Sequence, residues 1–189
     1  KTPRKGHLEI RNWTKHTFSL PRPYNSEALI FHPLSKKFYL FTKSHRLTWE
    51  KFPEDKGKSH VFKLNPQNKK VSLEGTLNTI LLKKNRKKAQ KNPRASFITG
   101  AAISPNLDKI MIATLKNGIE FNLKKGTTPF QPFPKTYTNK FRFPRFKGAQ
   151  IEALTYSSDG KSIYVFSESP AKKVKFLYLF KVSCKEGFS

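Results

Sequence analysis

Apolar residues fall in short runs set apart by clusters of Ser, Asp, Asn, Gly and Pro, and no segment sustains a helical period. The clearest unit is 151–168, where Ile151-Glu-Ala-Leu-Thr-Tyr156 and Ser162-Ile-Tyr-Val-Phe166 flank Ser158-Asp-Gly-Lys161. Asp-Gly between β-branched and aromatic runs predicts a β-hairpin, because the turn requires positive φ and glycine supplies it without strain. The unit recurs without gaps at Glu27–Lys43 and Thr99–Leu115, which places Pro33, Pro105 and Ser158 in one register. In that register Glu27, Thr99 and Glu152 share one position at the start of the first strand, and His32 stands where the other two copies carry Ser.

Further strand signals follow each hairpin. They lie at His60–Leu64 and Val71–Leu82 after the first copy, at Gly118–Leu123 and near Lys140–Phe143 after the second, and at Val174–Val182 after the third. Residues 7–20 carry apolar pairs at alternating positions and stop at Pro21 and Pro23, which reads as outer strands of a preceding sheet. The segments 44–59 and 125–149, rich in polar residues, Pro and isolated aromatics, read as loops. The organisation predicted is outer strands over 1–22, four-stranded units over 23–82 and 98–149, a basic loop over 83–97, and a further unit over 150–189.

Repeats of roughly 40–50 residues built from four antiparallel strands are what a β-propeller blade requires. The second strands, Phe38-Tyr-Leu-Phe41 and Ile163-Tyr-Val-Phe166, are apolar at consecutive positions. A sheet with one wet face would alternate, so both faces are predicted to be covered, as in stacked blades. The fold class predicted is therefore all-β: about three propeller blades plus outer strands of another, within a five- or six-bladed ring. A two-sheet sandwich, the competing architecture, leaves three equal copies unexplained.

Composition changes the picture through charge. The chain has 189 residues with 38 Lys and Arg against 12 Asp and Glu, a formal net charge of +26. A charge that large calls for polyanionic company: nucleic acid, anionic lipid, acidic polysaccharide or an acidic protein. A lysine-biased but merely solvated surface is the competing account. Lys83, Lys84, Arg86, Lys87, Lys88, Lys91 and Arg94 form a dense basic run without aromatic interleaving. Only Phe141-Arg-Phe-Pro-Arg-Phe146 mixes rings with cations as base stacking on single-stranded nucleic acid would need.

No run of about 18 apolar residues is present, so no helical membrane span is predicted. The chain opens on Lys1-Thr-Pro-Arg-Lys5 with no apolar leader, as a processed or truncated chain would. Cys184 is the lone cysteine, and the histidines lack metal-ligand spacing.

The Ser104-Pro-Asn-Leu-Asp-Lys-Ile-Met-Ile-Ala-Thr114 and Tyr156-Ser-Ser-Asp-Gly-Lys-Ser-Ile-Tyr-Val-Phe-Ser167 segments resemble the repeat of TolB-type propellers. Together with Asn25–Leu29, Ile98–Pro105 and Gln150–Ser157, they are similar to bacterial exported propellers related to phytase-like and esterase-like proteins, over about residues 20–182. The resemblance implies a periplasmic or secreted location and first strands that line a central channel. It further implies that Glu27 and Glu152 could hold Ca²⁺ there, with Thr99 interrupting the ring of carboxylates; Lys43, Lys116 and Glu168, near the ends of the second strands, could border the same region. Two functions are weighed: a non-catalytic binding or scaffold module whose basic loops engage an acidic partner or polyanion, and a Ca²⁺-dependent phosphoesterase. A subunit of a large assembly, or an oligomer completing its ring with another copy, is a third.

Overall fold

A computed structural model of the chain describes residues 14–43, 50–79, 97–115, 117–123, 138–143, 150–168 and 178–183. These form three antiparallel sheets. The first is β1 (Ser26–His32), β2 (Lys37–Thr42), β3 (Lys58–Leu64) and β4 (Val71–Asn78), hydrogen-bonded in chain order. The middle sheet is β5 (Ile98–Ile103), β6 (Lys109–Thr114), β7 (Asn117–Asn122) and β8 (Asn139–Arg142), again in chain order. The third contains β9 (Gln150–Tyr156), β10 (Ser162–Glu168) and β11 (Tyr178–Ser183), with β10 central. A one-turn 3₁₀ helix at Pro53–Asp55 interrupts the segment read as loop over 44–59.

Each sheet opens with the hairpin found in the sequence, and the three pair in one register: Phe31 with Phe38, Ile103 with Ile110, Tyr156 with Ile163. The tight turns are closed by the residue at one repeat position. Ser104 Oγ accepts from the amides of Asp108 (3.2 Å) and Lys109 (2.9 Å), and Ser157 Oγ accepts from Ser162 (2.9 Å). His32 does the same work with its ring, Nδ1 accepting from the Ser35 amide at 3.2 Å. Left-handed backbone falls where the turns need it, on Gly160 (φ 70) but also on Leu107 (φ 58) and Lys36 (φ 52), which lack glycine's freedom.

The sheets stack by one repeated rule. The middle sheet sits on the first through Ile110, Ile112, Ile119 and Phe121, which meet Ala28, Ile30, Tyr39, Phe41, Val61 and Leu77. The third sits on the middle one through Leu154, Tyr156, Ile163 and Val165, which meet Ala102, Met111 and Ala113. In repeat register Ile163 and Val165 are the counterparts of Ile110 and Ile112, while Met111 and Ala113 are the counterparts of Tyr39 and Phe41. Every sheet thus offers the same face backward and the same face forward. The first strands lie side by side, β1 against β5 and β5 against β9. They approach so closely that a Cβ on Gly100 would lie 3.3 Å from the Ala153 Cα. The equivalent positions on the neighbouring strands are Ala28 and Ala153, both small.

The expectation that both faces of every second strand are covered holds for the middle sheet, where Ile110 to Thr114 are all buried. It fails for β2 and β10: Tyr39, Phe41, Ile163 and Val165 are buried, but Phe38 and Leu40 are half-exposed and Phe166 is exposed. The reason is position, since these sheets end the stack of described residues. Residues 14–25 form no strand, contrary to the reading of outer strands over 7–20, of which 7–13 lie outside the described residues. Pro21 and Pro23 lack the amide donors a ladder needs. The arm instead lies across β3, with Tyr24 packed on Phe62 at 5.2 Å between ring centroids.

Candidate functional site

The repeat position shared by Glu27, Thr99 and Glu152 is a β-bulge in all three sheets. Pairing skips from Ser26 to Ala28, from Ile98 to Gly100, and from Ile151 to Ala153. A bulge adds one residue to its strand and re-aims the side chain it carries. Because β1, β5 and β9 are adjacent, the three bulges gather at one end of the stack. Glu152 is half-buried there, and its carbonyl lies 3.5 Å from where a Gly100 Cβ would be. Thr99 is fully buried. Lys43, just past β2, donates to both oxygens of Glu27 at 2.5 and 2.6 Å, and its Nζ stands 5.7 Å from the centroid of Phe97, the residue before β5. The backbone of Glu168 pairs with Gln150, at the same end of the third sheet.

The register also exposes residues that the sequence reading passed over. Thr42, Thr114 and Ser167 occupy one position at the end of the second strands, and all are buried. Thr42 Oγ1 accepts from the His60 amide at 2.8 Å and Thr114 Oγ1 from Asn117 at 3.2 Å. Among the described residues, the hydroxyls of Ser26, Thr99 and Ser167 are buried at this end without a hydrogen-bond partner. The repeat alignment contained this signal, a hydroxyl after Phe41, Ala113 and Phe166.

The end is thus polar, with an ion pair, buried hydroxyls and a second carboxylate, which suits binding better than proton transfer. Among the described residues no group of three or more His, Cys, Asp or Glu could hold a metal ion. A cation at Glu27 would have to displace the Lys43 ammonium, so this donor set does not by itself fit Ca²⁺.

A second polar cluster lies on the side of the first sheet. His60 Nε2 meets Asp55 Oδ1 at 2.7 Å and its Nδ1 meets Thr76 Oγ1 at 3.0 Å. A hydroxyl, imidazole and carboxylate in that order serve acyl transfer in other folds. Here the second oxygen of Asp55 is held by Arg22 at 2.5 Å, and the Tyr24 ring lies 5.5 Å from the imidazole. Arg22 also donates to Glu54 at 2.9 Å and stacks 3.8 Å over Phe52. The Arg22 hydrogen bond is the first cause holding the Glu54 carboxyl below its usual range. The cluster therefore clamps the arm to the sheet. Its only sequence signal was an acidic pair, Glu54-Asp55, behind a proline in a basic chain.

A third carboxylate, Glu120, is buried between the middle and third sheets, where it accepts from Tyr156 Oη (2.8 Å) and Asn139 Nδ2 (2.8 Å). The basic run Lys83, Lys84, Arg86, Lys87, Lys88, Lys91 and Arg94 lies outside the described residues, as does Lys116.

No known protein family matches the sequence, and no curated protein does. Among solved structures 195 chains match. One belongs to a crystal structure of a nidogen/laminin complex, with a TM-score of 0.42 at 10% identity, covering 77% of this chain and 43% of that one. The chain thus spans less than half the length of that neighbour.

Proposed function

We propose that the three sheets are consecutive blades of a β-propeller in the bacterial envelope, and that the protein is a binding or scaffold module whose basic surface engages an acidic protein or polyanion. The single observation carrying the functional part is how the few carboxylates are used. Glu27 is paired with Lys43, Glu54 and Asp55 with Arg22, Glu74 with Lys63, and Glu120 lies buried under Tyr156. Asp108 and Asp159 accept hydroxyl hydrogen bonds inside their own turns. Lys36, Lys51, Lys56, Lys69 and Lys70 meanwhile stand exposed. Seven of the 12 carboxylates are thus spent on internal contacts, in a chain whose formal net charge is +26. The bridging of the sheets by their first strands and the single stacking rule support the propeller reading.

Retention on immobilised heparin tests the function. The chain should elute late, with an affinity that falls steeply and log-linearly with salt as bound counterions are released. Replacing Lys83, Lys84, Lys87, Lys88 and Lys91 with Gln should lower both the elution salt and the slope. Elution unchanged by that substitution would contradict the role given to the run.

A further inference from the structure

The turn of the first hairpin departs from the chain's own repeat. Its tip position carries Asn106 in the second copy and Asp159 in the third, residues whose short polar side chains suit a turn. The first copy carries Leu34 there, 79% exposed. Two residues on, Asp108 of the second copy gives way to Lys36. The other turns use their carboxylates, Asp108 accepting from Ser104 Oγ and Asp159 from Ser157 Oγ, whereas the first is closed by His32 and Ser35 without an acid. Neither exchange helps the turn to form: Leu34 hides little of its surface on folding, and Lys36 has to adopt a φ of 52.

The turn between β3 and β4 lies at the same end of the sheet, because the four strands form an antiparallel meander, and Lys37 Nζ donates across to Gln67 Oε1 at 3.3 Å. It adds Lys69 and Lys70, both exposed, with Lys69 again at positive φ (58). Its asparagines fix its backbone: Asn65 Oδ1 accepts from the Gln67 amide (3.1 Å) and Asn68 Oδ1 from the Lys70 amide (3.0 Å). Positions 33–37 and 65–70 contain four lysines and no Asp or Glu. Glu74, farther along β4, is held by Lys63 at 2.6 Å.

We infer that this end of the first sheet docks on a bilayer bearing anionic headgroups, with Leu34 entering the interface and Lys36, Lys69 and Lys70 meeting the headgroups. Binding of that kind grows with the apolar area buried and with attraction to anionic lipid. Each lysine near such a surface adds about fivefold to partitioning. A linear polyanion would meet the same lysines but gain nothing from an exposed leucine at the tip, and Leu34 therefore decides for the bilayer. The inference rests on the proposed place in the envelope, and it gives the acidic partner a site separate from the basic run over 83–94.

An environment-sensitive fluorophore on Leu34→Cys, in a Cys184→Ser background, tests the site. Lys58→Cys, exposed at the opposite end of β3, is the control. On vesicles of phosphatidylglycerol and phosphatidylcholine the emission should shift to the blue at position 34 and stay unchanged at 58; with phosphatidylcholine alone neither should shift. Replacing Lys36, Lys69 and Lys70 together with Gln should lower vesicle binding by more than about tenfold. Leu34→Ser, which leaves the charge alone, should also lower it and leave elution from heparin unchanged. An unshifted label at 34, equal shifts at 34 and 58, or vesicle binding by Leu34→Ser equal to wild type would overturn the inference. The last result, joined to earlier heparin elution of the lysine variant, would assign this end to a linear polyanion instead. A chain retained on heparin that ignores vesicles removes this inference alone, and one that docks through position 34 but passes heparin removes only the polyanion reading.

Discussion

His32 shows how one repeat position accepts different chemistry at the scale of a residue. Serine closes the turn in two hairpins and an imidazole closes it in the third, so the ring must be neutral at Nδ1 to accept the Ser35 amide. Burial pushes the His32 pKa below its ordinary 6.5. A depressed folded-state pKa means that the stability is full above the unfolded value and is lost as pH falls below it, because the unfolded chain then takes up a proton the folded chain refuses. The wild-type melting temperature should therefore drop between about pH 7.5 and about pH 5.5, and His32→Ser, which restores the residue of the other two copies, should shrink that drop. Equal drops in the two proteins would show that His32 is not the group titrating.

Among the elements, the strands next to the common axis carry the tightest constraint. Gly100 on β5 faces the backbone of β9, and valine there has no flexible neighbour to displace. Gly100→Val should cost about 1–3 kcal/mol, read as a lower urea midpoint. An unchanged midpoint would mean that β5 and β9 are not packed as described.

The hairpins were legible because turn chemistry and two-residue alternation are local, and aligning them was enough to put Glu27, Thr99 and Glu152 at one end. The bulge beneath those residues was not legible, since one extra residue in a short strand leaves the apolar pattern almost intact. The strands expected over 7–20 fail for a related reason: in the described part, 14–20, apolar residues such as Phe18 and Leu20 are half-buried outside any sheet, yet look in sequence like those of a strand. Glu120 was a lone charge in an apolar run, and nothing local announces that Tyr156 and Asn139 will meet it.

At the scale of the whole molecule, the described residues form a stack of like sheets with the middle one buried between the other two, in a chain rich in lysine. Burial alone then orders the strands. β6 is covered on both faces, while β2 and β10 are covered on one. Amide hydrogen exchange on the chain measures this most directly. The account predicts that amides of Lys109–Thr114 exchange more slowly than those of Lys37–Thr42 and Ser162–Glu168. Equal exchange across the three second strands would mean that the sheets do not stack on one another, and the stack and its polar end would fall together.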